Sequence, residues 1–288
     1  MKIMLFGSDG VLGQYLKVSF KNHELIPLSH KDIDIIDFDD TDEIIKNSSP
    51  NVVINATAYN DVEESESPEG FKKAKLINGD TVGNLTKSTH RIKGVFIHFS
   101  TDYVFGGKVK NGYKEDDYPM PINNYGRSKL LGEQLIQNST NRFYIIRMSR
   151  LFGTPGKSSL SKKSFVDIML DSAKEKGELS VINDEVSSPT YALDVVKTIE
   201  DILTKSLPFG VYHVTNSGQC SWYEFAVEIF SMCKKINPRL KMPIVHPVSS
   251  DTLKRKAVRP KFSVLMNTKL PPLRDWKIAL EEYLKTRF

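Results

Sequence analysis

Short runs rich in Val and Ile recur along this chain, separated by longer segments whose apolar residues follow a helical period. The runs Ile3–Phe6, Glu24–Leu28, Val52–Ala56, Val95–Phe99, Tyr144–Met148, Leu179–Ile182 and Val211–Val214 are predicted strands. Helices are predicted near 11–21, 39–47, 69–90, 125–137, 165–175, 191–205 and 222–233. Strands that are apolar on both faces need helices on both sides, and alternation with helices implies parallel pairing. The expected fold is therefore α/β, a doubly wound parallel sheet followed by a smaller C-terminal lobe. Ligands of such sheets bind outside the carboxyl ends of the strands, so residues there carry the functional weight.

After about residue 150 the spacing loses its regularity, and the segment 153–163 (GTPGKSSLSKK) reads as a mobile loop. We expect residues 1–150 to form a nucleotide-binding domain, with 179–215 returning to it. Residues 151–178 and 216–288 would then form an interleaved substrate lobe. The 288 residues, 40% hydrophobic and 26% charged, suffice for a sizeable core and exclude a disordered chain. The net charge of +5 is spread without long like-charge blocks. That argues against a dedicated nucleic-acid binder and suits an anionic small molecule. Cys220 and Cys233 are the only cysteines, which excludes a disulfide framework, and no His/Cys cluster has zinc spacing. No apolar run approaches the roughly 18 residues that span a bilayer, and no cleavable leader is evident. A cytoplasmic protein without a membrane partner is expected.

Gly7, Gly10 and Gly13 form a G-x-x-G-x-x-G turn between the first strand and the first helix. Glycines there permit a tight turn and a close backbone approach to a pyrophosphate, with the helix N-terminus aimed at its charge. Three glycines alone are weak, but their place after the first strand of an α/β chain makes a dinucleotide site the expectation. Asp9 within the turn is unfavourable beside a diphosphate unless its side chain turns away. At the end of the second strand, an acid would accept hydrogen bonds from the ribose of NAD. The chain instead reads Ser29, His30, Lys31, with no acid before Asp32. Lys31 would favour the 2′-phosphate of NADPH, although a solvated loop residue explains it equally well and NADH stays possible.

Tyr125 and Lys129 lie four residues apart at the start of a predicted helix, hence on one face, with Asn124 as the expected cap. A phenol with an ordinary pKa near ~10 exchanges protons poorly at neutral pH, and a neighbouring ammonium would lower it. Alone, such a pair is usually a solvated helix face. Here it follows a Ser-Thr-Asp-Tyr segment (Ser100–Tyr103) at the carboxyl end of the fourth strand.

With these residues the chain resembles the extended short-chain dehydrogenases/reductases, and within them the dTDP-4-dehydrorhamnose reductase family. The resemblance rests on VVINATAY (Val52–Tyr59), STDYVFGG (Ser100–Gly107), NNYGRSKLLGE (Asn123–Glu133) and SSPTYALDV (Ser187–Val195). GVYHVTNSGQCSWYEFA (Gly210–Ala226) and RPKFSVL (Arg259–Leu265) complete it, so that it runs almost end to end. It implies a Rossmann-type fold and reduction of a nucleotide-linked 4-keto-6-deoxyhexose by NADPH or NADH. In this reading Tyr125 protonates the carbonyl oxygen, Lys129 holds the nicotinamide ribose and lowers the Tyr125 pKa, and Thr101 hydrogen-bonds the substrate oxygen. Asp102 would contact the sugar. Matching cofactor positions, besides Tyr125 and Lys129, are Gly10, Val11 and Leu12, then Asp34 and Ile35, then Ala58, Tyr59, Asn60 and Phe99, to which the turn adds Gly7 and Gly13 and the end of the second strand Lys31.

Two positions depart from the family pattern. Arg150 stands where the family commonly has a substrate-facing Trp, and could contact the nucleotide sugar or bridge to an acid such as Asp184. Tyr15 stands where some members carry a Glu that holds magnesium at a dimer interface, so no metal is expected, and a monomer or weak dimer follows. A sister epimerase or dehydratase, or a regulatory subunit like that of methionine adenosyltransferase, would also keep the Tyr/Lys pair.

Overall fold

In strand β1 (Lys2–Phe6), Ile3 and Leu5 enter one core while Met4 and Phe6 enter another, and all four are fully buried. Successive side chains leave a strand on opposite faces, so this strand alone needs packing on both sides. The computed structural model describes residues 1–158 and 161–288. From β1 the chain runs through α1 (Val11–Ser19), β2 (Glu24–Leu28), α2 (Phe38–Ser48), β3 (Val52–Asn55), α3 (Pro68–Lys75), α4 (Thr81–Arg91) and β4 (Val95–Thr101). It continues with α5 (Asn124–Ser139), β5 (Phe143–Met148), β6 (Leu151–Phe152), α6 (Phe165–Glu175), β7 (Glu178–Ile182), β8 (Val186–Ser187) and β9 (Thr190–Tyr191). The last elements are α7 (Ala192–Thr204), β10 (Gly210–His213), β11 (Cys220–Ser221), α8 (Trp222–Ile236), β12 (Ile244–Val248) and α9 (Trp276–Lys285).

Six parallel strands form the central sheet in the order β10-β5-β4-β3-β1-β2. Leu12 and Leu16 of α1 and Val195, Val196, Ile199 and Ile202 of α7 cover one face. Ile45, Val82, Leu85 and Ile136, from α2, α4 and α5, cover the other. Strand order reverses between β1 and β3, and a crevice at such a switch point is where doubly wound sheets bind ligands. A third core gathers Phe152, Val166, Leu179, Phe225, Ile229, Trp276, Leu280 and Tyr283 from the second half of the chain.

The run 211–214 joins the central sheet as its edge strand, but Leu179–Ile182 does not. As β7 it pairs in parallel with β12, Leu179 opposite Val245, in a separate two-stranded sheet. Leu179 and Val181 face the third core, which draws the strand away from the main sheet. β12 (IVHPV) carries a proline and is largely exposed, and so lacks a strand pattern. The helix expected over 69–90 divides into α3 and α4, joined by a π-turn at Leu76–Asp80. Helix α9 lies beyond the helices expected from the sequence. Of the segment read as a mobile loop, residues 159 and 160 lie outside the described residues. Its first part is tied to the glycine turn: the Lys157 amide donates to Asp9 O at 2.9 Å and Gln14 Nε2 to Pro155 O at 2.7 Å.

Candidate active site

Gly7 has φ +81°, and a Cβ there would lie 2.8 Å from the Ala56 backbone. A Cβ on Gly13 would lie 2.3 Å from Gly7 O, so only glycine lets α1 close onto the end of β1. The Gly7 and Ser8 amides donate to Leu28 O, which locks the turn to the end of β2. Gly10 is the N-cap of α1 and brings no side-chain cap, so the helix start presents backbone N–H groups at Val11 and Leu12. That cradle suits a dinucleotide pyrophosphate. The Asp9 carboxylate pairs with Lys17 at 3.1 Å, which offsets its charge beside the turn.

Ala58, Tyr59 and Asn60 follow β3 across the switch point. Their backbone is clamped by Asn78 of the π-turn, whose Oδ1 accepts the Tyr59 amide at 2.8 Å. The Asn78 Nδ2 donates to Tyr59 O and to Ser128 Oγ, both at 3.0 Å. Nothing in the sequence pattern singled out Asn78, because the contact joins positions on different elements. At the end of β2, the Ser29 amide and hydroxyl both donate to Asp32 at 2.7 Å and hold its pKa below the ordinary value. This carboxylate is thereby engaged by its own turn. Lys31 and Asp34 are exposed, and Ile35 packs against the core on the α2 side.

Thr101 ends β4 and accepts the Tyr103 amide at 3.2 Å, and its hydroxyl donates to Asp102 Oδ1 at 3.1 Å. Ser263, 161 residues later in the chain, donates to Asp102 Oδ2 at 2.6 Å. Burial pushes the Asp102 carboxyl up to about 6, against those hydrogen bonds and the charge of Arg150. Helix α5 is capped by Asn123 rather than the expected Asn124: its Oδ1 accepts the Gly126 amide at 2.8 Å. The helix begins one residue earlier than anticipated, and Asn124 Oδ1 accepts from Arg127 instead.

The cap places Tyr125 in the first turn, with its ring edge-on to Tyr103 at 5.9 Å. Burial raises the Tyr125 pKa, the Asp102 charge adds to this, and a hydrogen bond with Thr101 opposes it. The expected lowering by Lys129 is not among these influences. Lys129, one turn on and 2% exposed, donates from Nζ to Phe99 O at 2.6 Å and lies 3.1 Å from His98 Nε2. Its amino group is thus directed at β4. Burial lowers the Lys129 pKa to about 8, opposed by Glu133. Glu133 is itself held by Arg147 at 2.6 Å in a fully buried pair.

Thr101, Asp102 and Tyr125 open into a cavity of about 600 Å³ that reaches Arg150, Trp222, Arg255 and Arg259. Arg150 has φ +44° and its guanidinium donates to Cys220 O and Glu185 O, both at 2.7 Å. It stacks 3.9 Å from the Trp222 ring centroid. The alternative partner, Asp184, is occupied elsewhere by Ser250. Arg259 pairs with Glu63 at 2.9 Å, while its buried Nε has no hydrogen-bond partner among the described residues. Tyr15 accepts the Thr154 amide at 3.0 Å through its hydroxyl.

The family model described as RmlD substrate binding domain matches residues 1–287. The chain is 36% identical over 292 residues to the spore coat polysaccharide biosynthesis protein SpsK of Bacillus subtilis, covering 99% of this chain and 98% of that one. It is 32% identical over 296 residues to the dTDP-4-dehydrorhamnose reductase of Burkholderia thailandensis, covering 97% of each. A crystal structure of dTDP-4-dehydrorhamnose reductase from Bacillus anthracis in complex with NADP superposes with a TM-score of 0.90 at 32% identity, covering 99% of this chain and all of that one. With the glycine turn, the Thr/Tyr/Lys constellation and this end-to-end similarity, the chain belongs to the dTDP-4-dehydrorhamnose reductase family.

Proposed function

We propose that this protein reduces a nucleotide-linked 4-keto-6-deoxyhexose, dTDP-4-dehydrorhamnose, to dTDP-L-rhamnose with NADPH, and with NADH as a weaker donor. The observation that carries the reading is the convergence of Thr101 and Tyr125 on one cavity, with Lys129 one helical turn behind. Bound reduced nicotinamide would supply the hydride. Gly7, Gly10, Val11, Leu12 and Gly13 would hold its pyrophosphate, Ala58, Tyr59, Asn60 and Phe99 would hold its nicotinamide half, and Lys31, with Asp34 and Ile35, would meet its adenosine end. A cation there and an Asp32 engaged by Ser29 favour a 2′-phosphate over a bare ribose.

Tyr125 gives its phenolic proton to the carbonyl oxygen, and the Thr101 hydroxyl steadies charge developing on that oxygen. Lys129 orients the ribose and returns a proton to Tyr125. Asp102 accepts from a sugar hydroxyl, and Arg150 walls the sugar end. Residues 1–150 with 190–215 form the cofactor lobe. Residues 151–189, including β7 and β8, and 216–288 form the substrate lobe. No helix among the described residues is long and apolar enough to cross a membrane. The reading places the enzyme in the cytoplasm as a monomer or weak dimer, without nucleic acid.

Loss of NADPH absorbance with the 4-keto sugar nucleotide tests the activity, and parallel NADH assays test cofactor choice. Tyr125→Phe keeps the ring and removes the proton, so turnover should fall by about two orders of magnitude or more with cofactor binding retained. Unchanged turnover in that variant would overturn the mechanism.

A further inference from the structure

One buried titratable group beside the catalytic pair has no part in the scheme above. His98 lies on β4 beneath Lys129, fully buried, its ring parallel to Phe96. Its Nδ1 is 3.3 Å from Asn55 Nδ2, and its Nε2 is 3.1 Å from Lys129 Nζ. Asn55, on β3, is also fully buried.

Groups that can only donate determine where the protons sit. The Thr57 backbone N–H donates to Asn55 Oδ1 at 3.0 Å, and the Thr57 hydroxyl reaches the same oxygen at 2.5 Å. A backbone N–H has no lone pair, so the Asn55 oxygen stays there and the amide NH₂ is turned to His98. That NH₂ also only donates, so His98 accepts at Nδ1 and carries its proton on Nε2. The Nε2–H then points at Lys129 Nζ. A neutral amine can accept this proton while donating to the Phe99 carbonyl. An ammonium would set two donors face to face in a buried site, a costly arrangement.

We propose that Asn55 and His98 form a positioning pair for Lys129, which holds it over the Phe99 carbonyl and favours its neutral amine through the Nε2–H tautomer of His98. Burial acts in the same direction on both His98 and Lys129. The other charges near Lys129 are few. Glu133 on α5 favours the ammonium but is bound to Arg147 of β5, and Tyr125 on α5 is un-ionised at neutral pH because its pKa is raised. Asn55 on β3 and Phe96 on β4 bring none. The functional consequence rests on the catalytic reading above: protonated Lys129 replenishes Tyr125, so activity falls as pH rises through the Lys129 pKa. The pair moves that fall to lower pH.

Nitrogen-15 NMR of the histidine rings in the whole protein tests the tautomer, with His98 assigned as the signal missing from His98→Phe. Unprotonated Nδ1 and protonated Nε2 are expected, and protonated Nδ1 in the wild type overturns the proposal. Asn55→Asp keeps an oxygen for Thr57 but turns an acceptor on Nδ1, so the ring should switch tautomer and accept from the Lys129 ammonium. The alkaline fall of kcat/KM should then move up by about one pH unit, tenfold in the ionisation constant. In a His98→Phe background the same change should leave that fall in place. Equal movement in both backgrounds would mean a bare charge effect and overturn the pair. An active Tyr125→Phe would instead sink the catalytic reading and leave the NMR result standing.

Discussion

Asp102 illustrates a residue held against its own solvation. It is 4% exposed, and burial raises its pKa from 3.8 to about 6 despite donors from Ser263 and Thr101. A carboxyl whose folded pKa is raised gives its full stability below the unfolded value and loses it as pH climbs through the folded one. From about pH 4 to about pH 6 the protein should therefore lose roughly 2–3 kcal/mol from this group. Asp102→Asn cannot ionise. In urea titrations it should be more stable than wild type by about that amount at pH 7 and nearly equal to it at pH 4. If Asp102 contacts the sugar as proposed, the kcat/KM of this variant should fall, the trade of stability for function expected at a binding site. Equal stability at both pH values would show that Asp102 is solvated in solution.

At the scale of elements, the position of α5 decides where Tyr125 and Lys129 stand. The helix approaches the π-turn so closely that a Cβ on Gly132 would lie 2.3 Å from Asn78 O. That approach also brings Ser128 to Asn78, and Asn78 to the Tyr59 backbone. Gly132→Ala should therefore cost about 1–3 kcal/mol by overpacking and raise the KM for NADPH. Gly177 is the comparison, because a Cβ there meets nothing within 4 Å among the described residues. Gly177→Ala should stay within about 0.5 kcal/mol of wild type with unchanged kinetics. Thermal unfolding and initial-rate assays on both variants separate the two sites, and a silent Gly132→Ala would remove the argument for the π-turn.

Across the whole molecule, Arg150 joins the end of β5 to the segments around β8 and α8 through the carbonyls of Glu185 and Cys220 and the face of Trp222. The guanidinium is engaged by protein, so its first role is to hold the cavity wall in shape. Arg150→Ala leaves two carbonyls without their donor and should destabilise the fold by about 2–3 kcal/mol. The KM for the sugar nucleotide should rise with it, while NADPH affinity should stay near wild type because Arg150 lines the cavity with Thr101, Asp102 and Tyr125, whose wall includes none of Gly7, Gly10 and Gly13. A large KM change with unaltered stability would instead mark Arg150 as a free substrate-binding group.

Local chemistry by itself determined the alternation of strands and helices, the glycine turn and the spacing of Tyr125 and Lys129. Each depends on backbone rules that act over a few residues: a period of two, a period near 3.6, or a φ that only glycine adopts readily. Tertiary structure decided what depends on proximity between distant positions. β7 left the central sheet because the third core and β12 offered it a better partner. The contacts of Asn78 with Tyr59, His98 with Asn55 and Lys129, and Ser263 with Asp102 join separate elements, and no periodicity encodes them. The charge state of Tyr125 and Lys129 belongs to the same class, because burial and the direction of the Lys129 amine set it, and both arise only when β3, β4 and α5 come together.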